Sequence, residues 1–226
     1  MNQSISMPEP DGDISFALST ALVTLDQSVN GEAESYRALR THIMARHVEG
    51  GRRALSVCAP TIGSGCTRVV ANLAVALSQI GLKTLLIDAN LRDPGVDKIF
   101  RPSQPVLGLQ QCLSSSDTDY SAYTNTDVLP DLSIMFSGGT PANAQELLAT
   151  DRFAEIMNFC LRDYAVTLLD TPAANRYSDA IRISTVVGYS LVVARRDKTL
   201  VNDIRTLVGH LENDRARVVG TVMIED

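Results

Sequence analysis

The chain has 226 residues, of which 45% are hydrophobic and 20% are charged, and its formal net charge at pH 7 is −6. This length suits one α/β domain with a large core, and this composition excludes a chain that is mostly disordered. The excess of acidic residues argues against a general nucleic-acid-binding protein, so we expect no nucleic-acid partner.

The N-terminal 28 residues are rich in Ser, Asp, Glu and Pro. A segment of this kind buries little apolar surface, which predicts a flexible tail over residues 1–28 and one domain over residues 29–226. No apolar run approaches the length of a membrane span, and no charged-then-apolar leader opens the sequence. We therefore expect a cytoplasmic protein.

After this tail, helix-like and strand-like patterns alternate. Apolar residues recur at helical spacing over residues 32–48, and Gly50-Gly51 ends the pattern. Strands are predicted at 54–58, 84–87, 132–136, 166–169, 190–194 and 218–224, helices at 67–80, 144–148, 153–161 and 200–211, and a polar surface excursion at 117–130. Continuous apolar strands between helices predict a three-layer α/β sandwich, with a mostly parallel central sheet and helices on both faces.

A glycine-containing loop joins the first of these strands to the next helix. It reads Gly63-Ser64-Gly65-Cys66-Thr67-Arg68. Glycines let the backbone wrap a phosphate, and the following helix offers free N–H groups and a positive dipole end. The loop therefore predicts a nucleotide-binding site of the P-loop NTPase type, formed by these six residues. The alternative is an ordinary glycine turn before a helix.

Cys66 stands where the phosphate-loop pattern G-x-x-x-x-G-K-[ST] has lysine. A hydrogen bond to a charged group contributes about 1.5–3 kcal/mol, which corresponds to a roughly ten- to hundredfold change in affinity. A neutral thiol supplies no such contact, so we expect weakened nucleotide binding. Phosphoryl transfer is expected to suffer more, because the lysine acts on charge that develops during the reaction.

Two aspartates follow predicted strands. Asp88 ends the strand at 84–87, and Asp170 ends the strand at 166–169. The carboxyl ends of parallel strands meet at one edge of a sheet, where ligands of such folds bind. We therefore expect Asp88 and Asp170 to lie near the glycine loop. The alternative is that both are plain caps at strand ends.

Together, four segments resemble the bacterial tyrosine autokinase (BY-kinase) family. They are the loop, residues 85–94 (LLIDANLRDP), residues 166–172 (VTLLDTP) and residues 34–41 (ESYRALRT), and the resemblance spans residues 32–224. That family supplies the cytoplasmic module of capsule and exopolysaccharide co-polymerases, and is related to deviant-Walker ATPases of the Min and Par type. The resemblance implies a P-loop fold, a nucleotide with Mg²⁺ and a membrane co-polymerase as partner.

Residue by residue, the resemblance assigns the predicted site. Gly63, Gly65 and Thr67 match the family's phosphate loop, Asp88 matches the acidic residue after the second strand, and Asp170 matches Walker B. The resemblance thus implies that ATP or ADP binds with an Mg²⁺ ion held by the oxygens of Thr67, Asp88 and Asp170. It also implies that the two aspartates are catalytic residues if the protein is active. The family also carries an E-x-x-R-x-x-R helix that drives ring-like self-association, which Glu34, Arg37 and Arg40 match in full. The alternative for these three residues is a solvated helix face with an i,i+3 ion pair.

The departures from the family's pattern fall on the chemistry. Cys66 replaces the loop lysine, and Asn90 replaces the second aspartate of the "DAD" motif. The family's tyrosine-rich tail is expected to be absent, because the last tyrosine of the sequence is Tyr189. Arg68 is a poor substitute for the lysine, because a side chain two positions further along a helix points to roughly the opposite side of that helix. Arg92 and Arg195 remain open as cations that reach in from neighbouring loops.

These observations predict a tyrosine-kinase-like cytoplasmic regulator of exopolysaccharide or capsule polymerisation and export. It would act with a membrane co-polymerase, lie at the inner face of the plasma membrane through that partner, self-associate, and be catalytically impaired. One alternative is an active ATP-dependent tyrosine autokinase with an atypical loop. Another is a Min/Par-like positioning ATPase, which is disfavoured by Thr61, since those proteins carry an additional lysine there.

Overall fold

The computed structural model describes residues 14–26 and 31–225. Its strands are β1 (Phe16–Leu18), β2 (Ala54–Cys58), β3 (Thr84–Asp88), β4 (Phe100–Pro102), β5 (Asn125–Leu129), β6 (Leu132–Met135), β7 (Val166–Asp170), β8 (Tyr189–Arg195) and β9 (Arg217–Ile224). Its α-helices are α1 (Gly31–Ile43), α2 (Cys66–Ser78), α3 (Val96–Ile99), α4 (Leu109–Ser114), α5 (Ala144–Ala149), α6 (Asp151–Asp163), α7 (Asp179–Val187) and α8 (Val201–Asn213). A π-helical turn, Met44–Val48, extends α1.

Seven strands form the central sheet in the order β5-β6-β3-β7-β2-β8-β9. All neighbours run parallel except β5, which pairs antiparallel with β6 at one edge. Every residue of β2, β3 and β7 is buried, as expected of strands that are covered on both faces. The predicted α/β sandwich with a mostly parallel sheet is therefore confirmed.

Helices cover both faces of the sheet, and alternate residues of each strand face opposite layers. Leu86 of β3 packs in the same apolar cluster as Leu73 of α2, whereas Leu85 and Ile87 join the cluster that contains Phe153 of α6. Ten consecutive residues of α2, from Val69 to Ser78, are buried. The helix that carries the glycine loop is therefore fixed in the core, and the loop is anchored at the carboxyl edge of the sheet.

The expected flexibility of residues 1–28 is wrong for residues 14–26. The strand β1 pairs antiparallel with β4, and Leu22 and Thr24 are buried. Asn72 of α2 fixes the segment: its Oδ1 accepts hydrogen bonds from Thr24 N and Oγ1, both at 3.2 Å, and its Nδ2 donates to Ala21 O at 2.9 Å. The packed structure thus includes this segment, while residues 1–13, 27 and 28 lie outside the described residues.

Residues 117–130 are also more ordered than a polar excursion. They include β5 and a single helical turn whose Tyr120 and Tyr123 are buried beneath α6. The sequence pattern also misses α4 and α7, which are short and lie next to loops. Among the described helices, none is both long and apolar enough to cross a membrane.

Candidate functional site

A cleft of about 250 Å³ opens at the carboxyl edge of the sheet, where the glycine loop lies. One wall is formed by the loop from Thr61 to Thr67, and the other includes Asn90, Arg92 and Tyr177. Both glycines of the loop have left-handed backbones, with φ of 75° at Gly63 and 74° at Gly65. A Cβ on Gly65 would lie only 2.4 Å from Ile224 Cδ1. The loop thus requires glycine for its curvature and for its close packing against β9.

Cys66 occupies the first position of α2, and its thiol turns inward. Its Sγ donates a hydrogen bond to Val57 O of β2 at 3.0 Å, and Thr171 Oγ1 donates to the same carbonyl at 3.0 Å. Burial, followed by the negative charge of Asp170, raises the pKa of the Cys66 thiol well above its usual value. The residue in the lysine position is therefore a neutral thiol, and it brings neither a cation nor a reactive thiolate to the cleft.

Thr67 and Asp170 meet directly, as the resemblance implied. Thr67 Oγ1 donates to Asp170 Oδ2 at 2.6 Å. Asp170 is fully buried, and its other oxygen, Oδ1, has no hydrogen-bond partner within the described part of the chain. A buried carboxylate oxygen without a partner is costly, because desolvation is not compensated by any contact. A bound cation or a proton would therefore stabilise this oxygen.

Asp88 lies beside Asp170, because the two residues are register partners at the ends of β3 and β7. Three backbone N–H groups hold its carboxylate: Asn90 N donates to Oδ1 at 3.1 Å, and Gly95 N and Val96 N donate to Oδ2 at 3.1 and 3.0 Å. Asp88 is as deeply buried as Asp170. It therefore fixes the loop that follows β3, and its charge faces the second carboxylate.

Burial is the main cause that raises the pKa values of Asp88 and Asp170 above the ordinary range, and the charge of Asp170 adds to the rise at Asp88. Two buried carboxylates side by side favour a shared proton or a bound cation. Within residues 14–26 and 31–225, no group of three or more His, Cys, Asp or Glu side chains is arranged so that it could hold a metal ion by itself. The residues present still fit Mg²⁺, which binds through one or two protein oxygens plus phosphate oxygens and water. Thr67, Asp170 and Asp88 would hold it.

Asn90, which replaces an aspartate of the family pattern, has a structural role in this loop. Its Nδ2 donates to Asp93 O at 2.6 Å, while its Oδ1 accepts from Arg92 N at 3.3 Å and Asp93 N at 3.0 Å. A carboxylate could accept the two N–H bonds but could not donate to the Asp93 carbonyl. The amide thus closes a turn that sets the position of Arg92.

The arginines near the loop have different surroundings. The guanidinium of Arg68 bonds to Glu32 Oε1 of α1 at 2.6 Å, and Arg68 does not line the cleft. Arg195 Nη1 donates to Gly63 O at 2.9 Å and braces the loop without lining the cleft. Arg92, in contrast, lines the cleft on the wall opposite the loop.

Sequence reasoning missed Tyr177, which lines this wall, and Asp179, which is buried beneath it. Both follow β7 in a segment that carries no apolar period and no familiar spacing. The available signal was an aspartate in the first turn of a short helix, a common feature that does not identify a partner. Their role depends on contact with Arg92, which lies 87 residues away from Asp179 in sequence.

The predicted self-association residues lie on α1, away from the cleft. Glu34 and Arg37 pair with each other at 3.1 Å, and their side chains are 72% and 35% exposed. Arg40 instead turns toward the core and donates from Nη1 to Ala76 O of α2 at 3.1 Å. The motif is therefore divided between two outward-facing residues and one that ties α1 to α2.

Comparison with known proteins identifies the family of this chain. No protein-family model matches it. Over 192 residues it is 30% identical to a Staphylococcus aureus protein named "Putative tyrosine-protein kinase CapB", a match that covers 84% of this chain and 83% of that protein. The chain belongs to the bacterial tyrosine-protein kinase family. It is also 29% identical over 191 residues to the tyrosine-protein kinase ptk of Acinetobacter johnsonii, but it spans only 26% of that longer protein.

Solved structures agree with this membership. The chain matches the chimerical protein CapA2B2 with a TM-score of 0.82 at 27% identity, over 92% of this chain and 91% of that one. It matches the kinase domain of the Escherichia coli tyrosine kinase ETK with a TM-score of 0.83 at 27% identity, over 90% and 79%. The cell-division ATPase MinD of Pyrococcus furiosus shares the fold alone, with a TM-score of 0.64 at 19% identity over 76% and 71%. The predicted membership of the tyrosine-kinase family is confirmed, and the fold is shared with Min-type ATPases.

The buried carboxylate pair makes stability depend on pH. An acid whose pKa is raised by folding stabilises the folded state while it is protonated, and this contribution is lost as the pH rises through the raised pKa. We expect the free energy of unfolding of the nucleotide-free protein to fall between about pH 5 and pH 8. In Asp170→Asn this fall should be smaller by about 1–3 kcal/mol. Urea denaturation without Mg²⁺ at both pH values measures the difference.

Asp93→Asn is the matched control, because Asp93 borders the same cleft with a side chain that is 86% exposed. It should leave the pH profile unchanged. Mg²⁺ added at the higher pH should stabilise the wild type more than Asp170→Asn. Equal pH profiles for the wild type and Asp170→Asn would contradict the claim that folding raises the pKa values of the buried carboxylate pair.

Proposed function

We propose that the protein is a nucleotide-binding, tyrosine-kinase-like regulator of exopolysaccharide or capsule polymerisation and export, with impaired catalysis. The observation that carries the proposal is a phosphate-loop cleft whose lysine position holds an inward-facing, neutral thiol. The loop, the helix start and the magnesium-type oxygen ligands are kept, while the cation that acts on the transferred phosphate is replaced. Such a site suits nucleotide binding better than phosphoryl transfer.

The retained parts support binding. The first turn of α2 presents N–H groups that no helical carbonyl can accept, and its dipole favours an anion. Thr67 and Asp170 supply oxygen ligands for Mg²⁺, which would neutralise charge on the bound phosphates. These contacts depend on backbone and oxygen atoms, so the change at Cys66 leaves them in place. ATP or ADP with Mg²⁺ is therefore the proposed ligand.

The altered parts support impaired catalysis. Charge develops on the transferred phosphoryl group, so a missing cation costs more in the transition state than in the ground state. Cys66 cannot substitute, because burial keeps its thiol protonated. Asn90 removes a second carboxylate from the same edge and serves to close a turn. Residues Asp88 and Asp170 would be catalytic only in an active enzyme.

The proposed partner is the cytoplasmic end of a membrane polysaccharide co-polymerase. Support comes from the relatives: one is named a tyrosine-protein kinase "in cps region" of Klebsiella pneumoniae, and this chain spans 26% of its length. The chain also matches the structure of a chimerical protein, CapA2B2. A kinase-like module thus occurs within longer proteins, and we propose that this one binds such a partner at the inner face of the plasma membrane, in the cytoplasm.

Two other functions remain as candidates. An active tyrosine autokinase that uses ATP is favoured by the presence of Arg92 in the cleft, since that residue brings a positive charge. A Min/Par-like positioning ATPase is less favoured. Thr61 stands where those proteins carry an additional lysine, and the structural match to MinD is weaker than the matches to the kinases.

Restoring the lysine tests the proposal. In Cys66→Lys the side chain must leave Val57 O and turn into the cleft, where its ammonium can bond to phosphate. We expect affinity for Mg-ATP to rise about ten- to hundredfold, as for a new charged hydrogen bond. Thermal stability with saturating Mg-ATP should rise as well, because the ligand binds only the folded state. Calorimetry on both proteins measures the affinities.

Cys66→Ser is the control, because a hydroxyl can keep the bond to Val57 O without adding charge. It should bind Mg-ATP as the wild type does. Unchanged affinity in a correctly folded Cys66→Lys protein, judged by its thermal unfolding without ligand, would contradict the role assigned to this position.

Self-association is a separate part of the proposal. Glu34 and Arg37 are the two motif residues that face outward and are available to a second copy. Arg40 contributes to the α1–α2 contact, so its removal would disturb the fold as well as any interface. Arg37 is therefore the better position for a test, because charged exposed residues contribute little to folding but much to charged interfaces.

We expect Arg37→Glu to lower the oligomer mass in light scattering while the circular dichroism stays unchanged, since like charges would then face the acidic side of the neighbouring motif. Arg205→Glu, on the exposed face of α8, is the matched control and should not change the mass. A wild type that is monomeric at high concentration, with and without a co-polymerase fragment, would exclude the interface.

A further inference from the structure

Arg92 is held in the cleft by a buried ion pair. Its Nε donates to Asp179 Oδ2 at 2.7 Å, and its Nη2 donates to Asp179 Oδ1 at 3.4 Å. The Asp179 side chain is 1% exposed, whereas 20% of the Arg92 side chain remains exposed. The carboxylate is thus sealed beneath the wall, and the guanidinium reaches the surface of the cleft.

An aromatic ring fixes the same guanidinium from a second direction. The Arg92 Cζ lies 4.9 Å from the centre of the Tyr177 ring, a cation–π distance. Tyr177 also lines the cleft. A planar group that is held by a carboxylate at its edge and by a ring at its face has little freedom, so it loses little entropy when it binds an anion.

The pair leaves donors for a ligand. A guanidinium carries five N–H donors, and the two bonds to Asp179 use two of them. Arg92 lines the same cleft as the loop and the start of α2, whose first-turn N–H groups have no acceptor within the helix. A polyphosphate in this cleft would therefore meet backbone N–H groups on one side and a guanidinium on the other, which is an arrangement suited to its charge and shape.

Within residues 14–26 and 31–225, Arg92 is the one Lys or Arg residue that lines the cleft. Arg195 contacts the loop through Gly63 O, and Arg68 is paired with Glu32 on another surface. The turn closed by Asn90 also sets the backbone of Arg92 directly. Asn90, which departs from the family's "DAD" motif, thus contributes to the position of Arg92.

We propose that Arg92 is a phosphate-binding residue of this cleft and supplies, from the wall opposite the loop, positive charge that the loop lacks at Cys66. Asp179 and Tyr177 are positioning residues that hold the guanidinium toward the phosphates. This inference rests on the proposed nucleotide binding, and it names the side chain that compensates for the lost lysine in the ground state. Arg92 lies outside the loop, so the rise in Mg-ATP affinity expected for Cys66→Lys would add to the contribution of Arg92.

Calorimetry with Mg-ATP and with adenosine tests the assignment in Arg92→Gln. The affinity for Mg-ATP should fall about ten- to hundredfold, while the affinity for adenosine stays unchanged, because only the phosphates meet the guanidinium. Arg92→Lys keeps the charge but loses the planar fork, so it should recover part of the loss. If Arg92→Gln unfolds, Arg92→Lys and Asp179→Asn carry the test, since Asp179→Asn should weaken Mg-ATP and leave adenosine unaffected.

Arg205→Gln, on the exposed face of α8, is the control and should bind Mg-ATP like the wild type. Wild-type affinity in Arg92→Gln, or equal losses for Mg-ATP and adenosine, would overturn the role of Arg92 while the proposed function stands. A greater loss in Arg195→Gln than in Arg92→Gln would assign the cation to Arg195 instead. A wild type that binds neither ligand would overturn both this inference and the proposed nucleotide binding.

Discussion

The rest of the site depends on two carboxylates that are buried side by side at the ends of neighbouring strands. Asp88 and Asp170 are register partners on β3 and β7. Asp88 is stabilised by three backbone N–H groups. Asp170 accepts a hydrogen bond from Thr67 on one oxygen, and its second oxygen is buried with no hydrogen-bond partner among the described residues. Such a pair is unfavourable unless a proton or cation is shared, so it is better explained by a ligand than by folding alone.

The sequence predicts much of this framework because the signals are local. The apolar runs that become β2, β3 and β7 each end at the carboxyl edge, and the glycine loop follows the first of them. The ordered segment 14–26 could not be predicted from its polar composition, because its stability comes from Asn72, which lies about fifty residues later. The pairing of Arg92 with Asp179 is likewise a product of tertiary structure. No pattern along the chain links those two positions.

Because tertiary contacts are not visible in the sequence pattern, the roles of the arginines could be assigned only from the structure. Helical geometry indicates that Arg68 turns away from the loop, yet it does not reveal Glu32 as its partner. The spacing of Glu34, Arg37 and Arg40 matches a family motif, but only the packing shows that Arg40 reaches α2. A motif match therefore assigns residue types to positions, and the contacts decide which of those residues can act on a ligand or a partner.

We propose that this kinase-family chain keeps a nucleotide site and is impaired in phosphoryl transfer. The most direct measurement is Mg²⁺-dependent turnover of labelled ATP by the purified wild type and by Asp170→Ala, at protein concentrations where binding is independently observed. The account predicts that the wild type binds nucleotide but releases phosphate, or labels tyrosine, no faster than Asp170→Ala. Turnover by the wild type that disappears in Asp170→Ala would show an active enzyme and contradict the account.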